Sequence, residues 1–243
     1  EKWFSAFSTS LSENLSKHLF TLIKETPPHL DLRTTPSKDL LRCQELNGAI
    51  KKGMKGRPLD ILGMDACMMG MAEGGYQLRE SVKYLVASED TVPVASWPYH
   101  RILKRLRERP DMTPEDLSIA IIREYLCHYQ DEVRGVTMSA CNLADTVSAT
   151  LETSLKELAS HLSQSIKTSE EVRFAVMRAR IAAQSFYLKE FVDLYDFCRL
   201  LKSSFSADDE KVATLMDRCQ DVMKADRKST RLNSSHANIS YAV

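Results

Sequence analysis

The amino-acid sequence predicts an α/β fold, a mainly parallel and incomplete sheet sandwiched between helices, followed by a helical C-terminal region. Three observations predict it. Residues 59–64 carry the apolar run Leu59, Ile61, Leu62 and Met64 directly after Pro58, short and uniform enough for a strand buried on both faces. Over residues 68–82 the spacing turns helical, with Met68, Met71, Gly75, Leu78 and Val82 near one face, before a second apolar run at residues 84–87. Beyond residue 142 the apolar positions recur at helical spacing.

The elements follow in order. Residues 3–25 place Trp3, Phe4, Phe7, Leu11, Leu15 and Leu19 mostly four apart, an amphipathic helix or a pair of them, and Pro27-Pro28 stops it. Residues 28–39 are polar and proline-marked, with no buried strand. Residues 38–54 are helical again, with Leu40, Leu41, Leu46, Ala49 and Ile50 on one side. After the strand–helix–strand unit, residues 101–109 interleave Ile102, Leu103 and Leu106 with Arg101, Lys104, Arg105, Arg107 and Arg109. In a neutral protein such a cationic face is ordinarily solvated rather than an anion-binding surface. Thr113 as cap, with Pro114 in the first turn, opens a helix to about residue 129. Residues 133–141 read as a strand, residue 142 begins a connection to a long helix through 166, and further helices are expected over residues 169–186, 191–202 and 206–224. The expected organisation is a sheet-bearing core over residues 1–141, a helical region over 142–227 and a tail over 228–243. That tail, KSTRLNSSHANISYAV, has no apolar period with which to bury a face. It resembles the translation of a sequencing adapter and is set aside as non-native, together with the Asn238-Ile239-Ser240 glycosylation pattern inside it.

The chemistry concentrates after the first strand. Cys67 falls at its carboxyl end, where open parallel sheets build active sites. A turn into a helix there leaves backbone N–H groups aimed at the thiol, an arrangement that favours thiolate and holds a developing oxyanion. A cysteine after a strand is ordinarily a small core filler. Here the charged Asp65 stands two positions before it, and Ser88-Glu89-Asp90 follows the second strand, so acidic groups emerge at one sheet edge beside the thiol. Taken alone, Ser88-Glu89-Asp90 reads as a solvated loop.

These residues carry a resemblance. The runs LGMDACMMGMAE at residues 62–73, YLVASED at 84–90 and Trp97-Pro98-Tyr99 resemble the nucleophile region of clostripain-like cysteine peptidases, relatives of caspases, gingipains and legumains. Residues 136–140 and 191–196 also resemble family pieces, and the likeness spans about residues 12–205. It implies a caspase-like α/β/α sandwich, a Cys–His dyad, and endopeptidase activity on peptide or protein substrates, usually after Arg or Lys. Cys67 carries over as the nucleophile. Asp65 carries over as a residue bordering the pocket for the substrate's basic side chain, with Ser88, Glu89, Asp90 and Trp97 as further substrate-binding positions. The family supplies no required cofactor, and calcium enters only by analogy with some relatives.

The sequence departs from the family pattern twice. Relatives place an apolar strand ending in a Trp-x-His-Gly type motif ahead of the nucleophile, and that His is the base. Here a helix-like stretch over residues 12–28 is followed almost directly by another over 38–54, so the strand and its His-Gly are missing. His18 lies inside a helical stretch. His29 stands in the right interval but is followed by Leu30, and an imidazole must come within hydrogen-bond reach of the thiol to act. Relatives also commonly carry Pro-Gly-Asp-Gly-Trp where this chain has Pro93-Val94-Ala95-Ser96-Trp97. Ala95 cannot help neutralise a basic substrate residue, because a guanidinium wants a carboxylate partner. The expected function is therefore a clostripain-like cysteine endopeptidase, inactive as written for lack of its base. The alternatives are a pseudopeptidase that binds peptides or a partner protein without cleaving, and a helical interaction module.

The totals agree with that class. The 243 residues carry 33 Lys plus Arg and 33 Asp plus Glu, a formal net charge of zero, which gives no bulk electrostatic case for nucleic acid or a membrane surface. No apolar run approaches the roughly 20 residues of a membrane helix, and the N-terminus lacks the order of a signal peptide, so the compartment is unassigned. The six cysteines are widely spaced in apolar or helical context, which points to free thiols rather than a disulfide framework. Cys127 and His128 are neighbours on a helix and face different ways, so no metal-ligand cluster is expected.

Overall fold

A computed structural model of the chain describes residues 42–129, 136–189, 191–206 and 209–228. The helix expected over residues 3–25, the polar interval holding His29, and the tail from residue 229 onward lie outside them. The described residues fall into a sheet-bearing unit within residues 41–148 and a helical unit within residues 149–226.

The sheet unit runs α1 (Cys43–Gly53), β1 (Leu59–Met64), α2 (Ala72–Leu78), β2 (Val82–Ala87), α3 (Tyr99–Glu108), α4 (Pro114–Tyr129) and β3 (Ser139–Asn142). β1 and β2 pair in parallel, with Gly63 opposite Val86 and Met64 opposite Ala87; β3 joins the far side of β2 antiparallel, with Ala87 opposite Ser139. Because side chains alternate along a strand, the sheet feeds two separate cores. On one face Leu78, Val82, Leu85, Ala87 and Leu143 pack with Leu46 and Ile50 of α1 and with Leu59, Leu62 and Met64 of β1. On the other, Val86 and Ala140 meet Ile102 of α3 and Ile121, Ile122, Tyr125 and Tyr129 of α4, with Ile61 of β1 alongside. This is the three-layer α/β/α arrangement expected.

Local chemistry sets the element ends. The Asn47 amide donates to the Gln77 carbonyl at 2.9 Å, tying α1 to α2. Thr113 Oγ1 accepts from the Asp116 N–H at 3.1 Å, and the Asp116 carboxylate accepts the Thr113 hydroxyl at 2.8 Å, a reciprocal cap ahead of Pro114. The cationic face of α3 is partly neutralised. Glu124 of α4, only 7 % exposed, accepts from Arg101 Nε at 2.9 Å and from Arg105 Nε at 2.6 Å.

Three elements of the sheet-bearing unit depart from expectation, and in the helical unit the helix expected from residue 206 begins only at Ala213. β1 is not buried on both faces: it pairs only with β2 among the described residues, its apolar side chains are half-buried, and Asp60 is exposed, ion-paired with Lys83 at 2.7 Å. The helix expected over residues 68–82 is confined to Ala72–Leu78. Met68 takes a left-handed backbone (φ 58), and its N–H bonds to the Asp90 carbonyl at 3.0 Å while that of Gly70 bonds to Ser88 at 2.8 Å. These N–H groups are drawn across to the next loop, so the chain does not coil there. The third strand is shorter than expected and begins at Ser139, with residues 136–138 irregular ahead of it.

The helical unit holds the run of α5 (Asp145–Thr168) from residue 149, then α6 (Glu170–Ala182), α7 (Leu194–Ser203) and most of α8 (Ala213–Lys228). Leu155, Leu158, Leu162 and Ile166 recur along one stripe of α5 and meet Val172, Ala175, Val176 and Ala179 of α6 with Leu215, Cys219 and Val222 of α8. Ser169 caps α6 by accepting from the Val172 N–H at 3.3 Å, and Asp193 caps α7 from Asp196 at 2.7 Å. All six cysteines are free thiols.

Two outcomes follow from this packing. A Cβ on Gly70 would stand 2.9 Å from the Ser88 carbonyl carbon and 3.1 Å from the Ala87 oxygen, both backbone atoms that cannot swing away. Gly70→Ala is therefore expected to lose roughly 2 kcal/mol in urea unfolding. The two guanidiniums hold Glu124 below the ordinary glutamate range, Arg105 contributing most. Since the folded pKa is the lower one, this stabilisation is present above the unfolded carboxyl's pKa and disappears as pH falls through the folded value. Chemical denaturation at stepped acidic pH should show a slope that Glu124→Gln flattens, with a cost of about 1 kcal/mol near neutrality after screening of the exposed arginines.

Candidate active site at the sheet's carboxyl edge

The parallel register of β1 and β2 brings both strands to an end at one edge, so residues 65–70 and 88–92 emerge side by side, and the antiparallel entry of β3 delivers residues 136–138 to the same place. Cys67 is half-buried there. Its sulfur accepts from the Val92 N–H at 3.2 Å and lies 4.0 Å from the Val92 carbonyl oxygen. The expectation of a helix start aimed at the thiol is corrected in detail. α2 begins only at Ala72, and the N–H that meets the sulfur comes from the opposite loop.

Asp65 sits two residues earlier and spends one oxygen on its surroundings. Its Oδ2 accepts from the Ser96 hydroxyl, from the Trp97 N–H at 3.2 Å and from the Tyr99 hydroxyl at 2.8 Å. Its Oδ1 is buried and has no hydrogen-bond partner among the described residues. Burial first, then the hydrogen bond and charge of Asp65, push the Tyr99 phenol up from its ordinary value. Tyr125, fully buried on α4, is raised as well, mainly by burial and then by Tyr129, Asp65 and Cys67, which puts this phenol under the same rim. Tyr129 donates to the Ser96 carbonyl at 2.5 Å, which holds Ser96 in its own left-handed conformation (φ 67). Met68 and Ser96 thus flank the site as two non-glycine residues in a strained backbone region, the kind of strain that clusters where geometry is constrained by function.

The other residues named from sequence have different surroundings. Ser88 and Glu89 are 0 % and 2 % exposed, so Ser88-Glu89-Asp90 is no solvated loop. Asp90 is half-buried at the rim, and its carboxylate accepts from the Thr91 N–H at 2.7 Å. Trp97 is 7 % exposed within the core beneath α3 and α4, its ring so close to Gly63 that a Cβ there would stand 2.9 Å away. Of the residues named from sequence, Cys67, Asp65 and Asp90 are half-buried at this edge, while Ser88, Glu89 and Trp97 are buried. Val92 and Tyr125 were not singled out by the sequence, and Ser96 and Thr137 lay inside recognised segments without a role. Tyr99 lay inside a recognised motif but carried no role, and the others act through a backbone N–H or through contacts remote in the chain. Among the described residues no group of three or more His, Cys, Asp or Glu side chains stands ready to hold a metal ion, so no step is assigned to calcium. No helix among them is long and apolar enough to cross a membrane.

Comparison with known proteins bears on this edge. A family model described as the clostripain family matches residues 33–240. Among solved structures, a B. fragilis cysteine protease is 17 % identical with a TM-score of 0.50, covering 82 % of this chain and 77 % of that one. A clostripain from Bacteroides thetaiotaomicron in complex with a peptide inhibitor is 16 % identical with a TM-score of 0.52, covering 82 % of this chain and 77 % of that one. A secreted C11 cysteine protease from the same organism, in complex with an irreversible peptide inhibitor, is 16 % identical with a TM-score of 0.51, covering 86 % of this chain and 53 % of that one. No curated protein matches the chain. The structural likeness establishes the shared fold, and the family match extends over most of the sequence, so the chain belongs to the clostripain family, a family of cysteine peptidases.

Proposed function

We propose that this protein is a cysteine-type endopeptidase whose nucleophile is Cys67, acting on peptide or protein substrates with a preference for Arg or Lys at the cleaved bond. The observation that carries the reading is the sulfur at the sheet's carboxyl edge, two residues from a carboxylate with one buried oxygen left unpartnered among the described residues. The thiolate attacks the scissile carbonyl carbon, an S–C bond forms, and the oxyanion collapses to expel the amine and leave an acyl-enzyme. Water then cleaves the thioester and restores the thiol. Asp65 Oδ1 suits a guanidinium or ammonium, which would satisfy it with a charge-assisted hydrogen bond. Its Oδ2 holds the loop of Ser96, Trp97 and Tyr99 against it, so the pocket wall and the charge are set by one residue. Ala95 supplies no second carboxylate, which weakens the preference.

The proton transfers need a base. No histidine is a hydrogen-bond partner of Cys67 among the described residues, and the sequence carries no His-Gly ahead of β1. We infer that turnover by the chain as written is severely impaired while covalent capture at Cys67 persists. The second reading, a pseudopeptidase that binds peptides without cutting them, draws on the same missing motif.

A biotinylated peptidyl acyloxymethyl ketone ending in Lys or Arg tests both. Labelling is expected on the intact chain and lost in Cys67→Ala, but retained when Cys43, Cys127 and Cys141 are replaced. Failure to label Cys67 would overturn the peptidase reading, and labelling with no hydrolysis of the matching peptide amide supports impaired turnover. Asp65→Asn keeps an acceptor for Tyr99 and Ser96 but removes the charge. It should lower the labelling rate by basic-residue probes by about tenfold while leaving a neutral-residue probe near the unmodified rate.

A further inference from the structure

We propose that Thr137 is a positioning residue for Cys67: from the segment ahead of β3, its buried hydroxyl holds the residue 88–92 loop so that the Val92 N–H lies on the sulfur. The inference rests on reading Cys67 as the nucleophile. Thr137 stands 70 positions beyond Cys67 and is 2 % exposed, with Ser88 beside it at 0 %. Its Oγ1 lies 2.9 Å from Ser88 Oγ and accepts from the Asp90 N–H at 3.1 Å. Ser88 Oγ also accepts from the Asp90 N–H at 3.1 Å and donates to the Asp90 carbonyl at 3.0 Å.

The proton count closes in one direction. Asp90 N–H is shared between both hydroxyl oxygens and Ser88 gives its proton to the Asp90 carbonyl, so the Thr137 hydroxyl donates to Ser88. The Asp90 carbonyl that receives the Ser88 proton also receives the Met68 N–H at 3.0 Å, immediately after the nucleophile. Two residues on, the Val92 N–H reaches the sulfur at 3.2 Å. One hydroxyl from a distant segment thus fixes both sides of Cys67, the left-handed turn at Met68 and the amide donor at Val92. A threonine in the core with no such duty would leave the loop unchanged on becoming valine, which has the same shape but neither donates nor accepts.

The test compares Thr137→Val with Thr137→Ser in the intact chain, reading alkylation of each cysteine by iodoacetamide through peptide mass spectrometry. An N–H aimed at sulfur favours the anionic form that alkylates, so loosening it should slow Cys67 roughly fivefold in Thr137→Val, the worth of one hydrogen bond. The exposed Cys127 serves as internal reference and should not change. Thr137→Ser restores the hydroxyl and should return Cys67 to within about twofold of the unmodified chain. Circular dichroism and thermal melting report whether the fold is kept. Should the valine variant fail to fold, Ser88→Ala interrupts the same relay at its other hydroxyl and carries the same expectation. An unchanged Cys67 rate in either folded variant overturns the proposal, as does slowing in Thr137→Ser equal to that in the valine variant. Iodoacetamide requires no substrate pocket. Capture by a peptidyl ketone with unaltered alkylation therefore removes Thr137 alone, and slowed alkylation without capture removes the peptidase reading alone.

Discussion

Two backbone hydrogen bonds beyond the last paired residues of the sheet, from the Met68 and Gly70 N–H groups to the carbonyls of Asp90 and Ser88, govern the geometry at its edge. Within the strands, β2 anchors the pairing, feeding the cores on both faces while β1 lies half-buried beside it. At the edge there is no such freedom to average over, since an N–H withdrawn from water must find one acceptor. These two contacts extend the parallel pairing by other means and turn the chain sharply at Cys67. The left-handed backbone at Met68 is the cost of that turn, of order 1 kcal/mol for a residue with a Cβ. It persists because Gly70 approaches the opposite backbone more closely than any side chain would allow.

The polar chemistry of the edge is layered rather than pooled. Beneath it lie Tyr125 and Tyr129, whose rings meet at 5.0 Å and close the core against water. Above them Asp65 gathers three donors on a single oxygen. A carboxylate with both oxygens satisfied would serve as a structural anchor and nothing more. The asymmetry between its two oxygens is what lets one side chain order a loop and still carry a charge with an unmet requirement. Two of the α3 cations, Arg101 and Arg105, are drawn down onto Glu124 of α4.

Much of this was legible in the letters. The apolar run ending at Met64, the change to helical period from Met68 and the second run ending at Ala87 place Cys67 at a strand end without reference to any relative, and the cap at Thr113 announces α4. What local pattern cannot express is pairing across distance. Residues 133–141 read as a strand, yet nothing in them says that residues 139–142 would run antiparallel beside β2 and bring Thr137 to Ser88. Likewise the helix expected from Met68 loses its first turn to acceptors twenty residues away. Ser88-Glu89-Asp90 has the composition of a solvated loop but is drawn inward by those same bonds. Tertiary demand overrides local period where the backbone N–H groups are claimed from elsewhere.

The antiparallel arrival of β3 has a consequence for how the molecule comes into being. Cys67 and its amide donor lie in one short stretch, but the hydroxyl that steadies them belongs to a segment synthesised 70 residues later. Closing a loop of that length is slow relative to forming the local helices, so β1, α2 and β2 can be in place while the rim is still unfinished. A growing chain thereby passes through a stage in which the sulfur has been made but not yet aimed. The bonds from Thr137 to Ser88 and Asp90 therefore close only after α3, α4 and the strand behind them have been laid down, an order of assembly written into topology.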